Sequence, residues 1–226
     1  MLSWLLGRER RPLLALLLLA GAAWAFAELA DEVSEGATRA VDVRLLLLLR
    51  TAGDPADPIG PPWAEELGRD VTALGGVGLL TFITLASAGF VALQGRPRLA
   101  VYLLACTGSG MLVASLLKLG FDRPRPELVP HGQAVYSSSF PSGHSMMSAI
   151  VYLTLGALLA AAQPNRRLKV YLISLAVLLT VSVGVSRVYL GVHWPTDVLA
   201  GWTAGAAWAF ACWTIARRLR RRGRVE

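Results

Sequence analysis

The chain has 226 residues, 54% of them hydrophobic and 16% charged, with a net charge of +7 and positive mean hydropathy. A water-soluble domain of this length carries nearer a quarter charged residues, so the composition excludes an ordinary soluble globular protein. The basic residues sit in short tracts at the ends of apolar runs, as topology signals and anionic-lipid contacts do, and this distribution argues against nucleic acid as a partner.

Six apolar stretches approach or exceed the ~20 residues that cross ~30 Å of hydrocarbon as a helix. They cover residues 13–30, 71–93, 99–117, 145–162, 170–186 and 198–216. Backbone polar groups in lipid are satisfied internally, and the runs are continuous rather than alternating, so each is expected to be a helix. The first, in "RERRPLLALLLLAGAAWAFAE", reads either as a retained anchor or as a cleaved signal sequence ending at a small-x-small site. Residues 1–30 would thus be a cytoplasmic stub and first span.

Residues 31–70 follow as an extracytoplasmic interfacial segment, and residues 28–70 carry ten acidic side chains against four arginines. Within it, five leucines between Arg44 and Arg50 are too few to span. They suit a helix lying along the membrane surface, a brace or a lateral lipid guide, before a Pro/Gly/Asp-rich turn region. Residues 71–216 form a helical core and 217–226 a basic tail. Arg8, Arg10, Arg11, Arg96, Arg98, Arg166, Arg167, Lys169 and the tail "ARRLRRRGRVE" fall on one side if all six helices span. That side is expected to be cytoplasmic, with both termini on it. The fold expected is an all-α, six-helix membrane bundle with a short extracytoplasmic helical segment between the first two spans. Two lysines beside twenty arginines suggest a GC-rich bacterial genome, and hence a bacterial cytoplasmic (inner) membrane.

This topology gathers charges from three loops at the outer face. Lys118 ends the third helix, and Arg123 and Arg125 follow in "KLGFDRPRP". His144 opens the fourth helix in "PSGH". Arg187 closes the fifth in "SRVYLGVHWPTD", and His193 and Asp197 lead into the sixth. Membrane-edge charges indicate function. Lys118, Arg125 and Arg187 would repel one another unless a dianion joined them, and a phosphate accepts both guanidinium forks and an ammonium. Ser142 offers a hydroxyl and Gly143 a close backbone N–H, both at a helix N-terminus that favours anions. Arg123, two residues before Arg125, reads as a solvated loop charge in preference to a further phosphate contact, His131 as an exposed loop residue, and Trp63, Trp194 and Trp202 as interfacial anchors. Gly201 and Gly205 form a small-xxx-small pattern suited to tight helix packing. Cys106 and Cys212, lacking metal-ligand spacing, read as small buried side chains.

The three segments together resemble the signature motifs of the type 2 phosphatidic acid phosphatase (PAP2) family: Lys, six residues, Arg-Pro; Pro-Ser-Gly-His; and Ser-Arg, five residues, His, three residues, Asp. The likeness covers about residues 71–216. It implies hydrolysis through a phosphohistidine without metal or other cofactor. His193 would be the nucleophile, Asp197 would hold its tautomer, and His144 would protonate the leaving oxygen and then activate water. Lys118, Arg125, Ser142, Gly143 and Arg187 would hold the phosphate. A site at the membrane edge implies a phosphorylated lipid as substrate: undecaprenyl diphosphate, phosphatidate, phosphatidylglycerophosphate or a lipid A phosphate. Phosphotransfer to a second lipid, and phospholipid binding or transport without turnover, are the competing readings.

Overall fold

The computed structural model describes residues 2–127 and 138–221; His131 lies outside them. Its described residues form eight helices and one small hairpin. The elements are α1 (Leu2–Ser34), α2 (Arg39–Leu47), β1 (Arg50–Thr51), β2 (Asp54–Pro58), α3 (Pro62–Ala73), α4 (Val77–Leu93), α5 (Pro97–Leu119), α6 (Gly143–Ala162), α7 (Arg166–Tyr189) and α8 (Pro195–Arg221). Five helices are long and apolar enough to cross a membrane, or six if α3 and α4 together make one bent span. Leucines and aromatics such as Leu17, Trp24, Phe82, Phe90 and Leu178 are more than half exposed. Such a face is a liability in water and is at home against acyl chains.

α6 is the central helix, and 61% of its apolar window is buried, against 22% for α7. Its Met146, Met147, Ile150, Val151 and Tyr152 form one core cluster with Leu80 of α4, Ala114 of α5 and Ala176 of α7. Close approach between α6 and α8 depends on glycine, as the spacing of Gly201 and Gly205 suggests. A Cβ on Gly201 would lie 2.7 Å from the Ser142 carbonyl oxygen, and one on Gly205 would lie 2.5 Å from that of Met146. Backbone atoms cannot yield as a flexible side chain can, so Gly205→Val is expected to cost roughly 1–3 kcal/mol or more. A thermal-unfolding series in detergent checks this. Gly89→Ala is the control, because nothing lies within 4 Å of its Cβ position, and it should leave the midpoint unmoved.

Three sequence expectations change. The stretch 71–93 is not one helix: α3 begins earlier, at Pro62, and meets α4 at a 49° bend. Gly75 and Gly76 weaken the helix there, and the bend is packed rather than loose. A Cβ at Gly75 would come within 2.3 Å of Val183 Cγ1 and 3.3 Å of the His144 ring, while the Tyr152 hydroxyl donates to the Leu74 carbonyl at 2.7 Å. The turn region after α2 is a short antiparallel hairpin, with Thr51 Oγ1 donating to Asp57 Oδ2 at 2.8 Å. Two of the three tryptophans are internal. Trp194 is fully buried and donates its indole N–H to the Pro124 carbonyl at 2.9 Å. Trp202 donates to the Thr180 carbonyl at 3.1 Å and rests where Gly184 leaves room. Only Trp63 of the three is well exposed. Cys106 and Cys212 are both buried free thiols.

α2 carries the pentaleucine segment onto the bundle. Leu46 is fully buried against Val188, Trp194 and Val198, a burial worth about 1.5–3 kcal/mol relative to exposure. It fastens α2 over the start of α8. Ala30 and Val33 at the end of α1 pack against Phe140 and Ala200. The ends of α1, α5 and α7, the starts of α6 and α8, α2 and the α3–α4 bend therefore meet at one end of the bundle. The arginines of the α4–α5 and α6–α7 turns lie at the other.

Candidate active site

α8 starts at Pro195 because proline supplies a pre-set φ and lacks only an N–H that a first turn leaves unpaired anyway. His193 then stands just before the helix and Asp197 in its first turn. The Asp197 carboxylate reaches back to the Trp194 backbone N–H at 2.9 Å, as the acidic member of a capping box does. The same Oδ2 lies 3.3 Å from His193 Nδ1 and also accepts from the Ser139 hydroxyl, itself 3.3 Å from Nδ1. Oδ1 accepts from Arg123. Both His193 and Asp197 are almost wholly shielded from solvent.

On the other edge of the ring, Arg125 Nη1 sits 3.2 Å from His193 Nε2 and donates to the Val192 carbonyl at 2.8 Å. These partners settle the tautomer of a neutral His193. A carboxylate only accepts and a guanidinium only donates, so Nδ1 carries the proton and the Nε2 lone pair faces Arg125. Burial pushes the His193 imidazole down from its ordinary 6.5 to about 4, against the pull of Asp197 and with Arg125 and Arg187 adding to the drop.

The sign of the pH effect follows. Between about 4 and 6.5 an unfolded His193 binds a proton that the folded one refuses, so stability contributed above pH 6.5 is lost as pH falls through that window. The ring should stay neutral at pH 5. Ring-15N histidine NMR in detergent checks this, since the chain has only three histidines and His193→Gln identifies the signal. A midpoint near 6.5 would contradict the burial argument.

The other expected residues come from three elements. Lys118, in the last turn of α5, donates to the Ser138 carbonyl at 3.1 Å. Its side chain runs past Gly143, where an added Cβ would lie 3.3 Å from Lys118 Cε. Ser142 caps α6 and is fully buried. Its oxygen accepts from Ser145 Oγ at 2.9 Å, which leaves its own hydroxyl proton to donate elsewhere, and its N–H donates to the Asp197 carbonyl at 2.9 Å. His144, half-buried, lies within electrostatic reach of Arg187, His193, Lys118 and Arg125. Arg187 donates to Thr72 Oγ1 at 2.9 Å, while its buried Nε has no hydrogen-bond partner among the described residues. All eight residues singled out from the sequence thus sit at the same end of the bundle. Among the described residues no three His, Cys, Asp or Glu side chains group as metal ligands.

Sequence reasoning missed several side chains. Arg123 is not a solvated loop charge: it is about nine-tenths buried and pairs with two carboxylates, Asp197 and, at 2.6 Å, Asp42. Asp42 comes from α2 and has no exposed surface. It also accepts from the Thr196 N–H at 3.0 Å and the Thr196 hydroxyl at 2.7 Å. One signal for Asp42 was available, for it is the single acid between Glu35 and Asp54. Ser139 and Thr72 had none, being polar residues of ordinary type whose value comes from what folds beside them.

The sequence model of the PAP2 superfamily matches residues 99–221. The chain is 37% identical over 153 residues to phosphatidylglycerophosphatase B of Bacillus subtilis (strain 168), covering 65% of this chain and 72% of that protein. It is 31% identical over 176 residues to a lipid A 1-phosphatase of Rhizobium etli, covering 66% and 71%. The crystal structure of a transmembrane PAP2-type phosphatidylglycerolphosphate phosphatase from Bacillus subtilis superposes with a TM-score of 0.76 at 29% identity, over 90% of this chain and 98% of that one. With three motifs at one end of one helical bundle, a family pattern over more than half its length and a relative matched over most of its own, this chain belongs to the PAP2 superfamily.

Proposed function

We propose that the protein is a multi-pass membrane lipid phosphatase that removes phosphate from a bilayer-resident phosphomonoester or diphosphate through a phosphohistidine. The observation that carries this reading is the pair of opposed contacts on His193: Asp197 at Nδ1 and a cationic Arg125 at Nε2. A side chain that only bound phosphate would have no need of an oriented lone pair. In the first half-reaction Nε2 forms a bond to phosphorus while the bond from phosphorus to the lipid oxygen breaks, and that oxygen takes a proton from His144. In the second, His144 takes a proton from water, the hydroxide attacks phosphorus, the nitrogen–phosphorus bond breaks, and phosphate leaves with His193 neutral again.

Lys118, Arg125, Arg187, Ser142 and the Gly143 N–H are assigned to the non-bridging oxygens, where charge stabilisation dominates phosphoryl transfer. The Arg187 Nε, without a partner among the described residues, supports this assignment, since a buried donor without an acceptor is costly and an anion relieves it. The dianion also brings the negative charge that a protonated His144 needs among three cations. The positive-inside pattern supports a site at the outer face of a bacterial inner membrane, with both termini cytoplasmic and residues 31–70 outside.

Phosphatidylglycerophosphate is the first substrate to test, because the relative of that name and the solved structure are matched over most of their lengths; phosphatidate, undecaprenyl diphosphate and lipid A phosphate complete the panel. Phosphate release is measured from each in EDTA with detergent-purified protein, with His193→Ala beside it. Release that survives EDTA and is absent in the variant is the expected result. Release that EDTA abolishes would overturn the metal-free mechanism, and silence on every lipid would favour a binding or transport role.

A further inference from the structure

We infer that Asp42, on the surface helix outside the span of the family match, is a positioning residue for the reaction: its charge cancels that of Arg123, so that Asp197 keeps its full charge for His193. The inference rests on the lipid-phosphatase reading of the site.

Arg123 is a fork with one nitrogen on each of two buried carboxylates, Asp42 and Asp197, and it leans on Thr38 and Thr196 hydroxyls at 3.4 and 2.8 Å. The three charges sum to −1. When His193 takes phosphorus at Nε2 and keeps its Nδ1 proton, its ring becomes a cation, and the buried cluster becomes neutral. Remove the charge of Asp42 and Arg123 alone cancels Asp197, leaving the imidazolium uncompensated where water cannot reach it. Remove Arg123 alone and two buried carboxylates face each other. Remove both charges and the balance of −1 returns. Isolated buried charge is what a protein interior tolerates least, so neutrality in the intermediate sets the ranking of these variants. Thr196 explains why the acid comes from α2: its N–H and hydroxyl, at the start of α8, both bind Asp42. The acid is thereby registered to the same helical turn that holds Asp197.

The test is a double-mutant cycle on full-length protein in detergent: Asp42→Asn, Arg123→Gln and the double variant, each scored for kcat and KM on the best lipid of the panel and for inhibition by inorganic phosphate. Asp42→Asn should lower kcat about 10–100-fold, as loss of an outer partner of an active group typically does, with KM and phosphate inhibition moved less than about threefold. The double variant should be about tenfold or more faster than Asp42→Asn alone, a coupling in the range seen for residues in one network. A packing role would make the double variant the slowest of the three, and that result overturns the proposal, as does a fully active Asp42→Asn. If Asp42→Asn fails to fold, a folded and active double variant supports the proposal, and a folded but inactive one overturns it. Failure of both to fold overturns it too, since the cluster would then be a folding device. An inactive wild-type protein would instead sink the phosphatase reading itself, which separates the two failures.

Discussion

His193→Ala is expected to lose at least ~10⁴-fold in kcat on every lipid, the scale seen when a nucleophile that works as part of a unit is removed. The size follows from how little else is available to replace it. Nε2 is the lone pair that Arg125 and Asp197 together orient, and the ring is kept neutral by burial. Without it, hydrolysis needs direct attack by water, in a pocket shaped for a ring nitrogen. Lys118, Arg187 and Ser142 remain in place, so the variant should still bind inorganic phosphate or vanadate. Isothermal titration with either anion checks that second half. Turnover within tenfold of wild type would remove His193 from the mechanism. Lost anion binding would make it a ligand rather than a nucleophile.

His144→Gln should separate two kinds of substrate. A lipid alkoxide is a poor leaving group and needs a proton, so kcat on lipid should fall about 10²–10⁴-fold. An aryl phosphate leaves as a stabilised phenolate and needs no proton in the first half-reaction. The second half still needs a base for water. A stopped-flow trace with a nitrophenyl phosphate should therefore show one equivalent of phenolate released quickly, followed by slow turnover, and acid-labile phosphate should accumulate on the protein. Glutamine preserves most of the shape beside Gly75, where the His144 ring lies 3.3 Å from the Cβ position. Equal losses on lipid and aryl phosphate, with no burst, would assign His144 to structure rather than proton transfer.

Much of this site was legible because its residues have chemistry that little else explains. A histidine at the mouth of a membrane helix, three cations at one end, and Pro195 between His193 and Asp197 each narrowed the reading. Arg123 was misread because its sequence context is the same whether the side chain meets water or two carboxylates. Its partners, Asp42 and Asp197, lie 81 and 74 positions away. Ser139 could not be singled out from the serine run in which it stands. Trp194 was misread because indole suits an interface and a core equally, and its packing against Leu46, Val188 and Val198 with the Pro124 carbonyl as acceptor decides between them.

The sequence by itself pointed to a chain that crosses a membrane, to most of its long helices, and to the three motifs that mark the PAP2 superfamily. Hydrocarbon forces backbone groups to pair locally, so those properties are written in short windows. Only the tertiary structure decided the bend at Gly75–Gly76, the burial of Trp194, the inward bond of Trp202, and the Asp42–Arg123–Asp197 cluster. These depend on contacts between elements far apart in the chain, where one carboxylate from α2, one guanidinium after α5 and one turn of α8 share a space from which water is excluded. Charge in such a space has to be balanced by whatever the fold brings there.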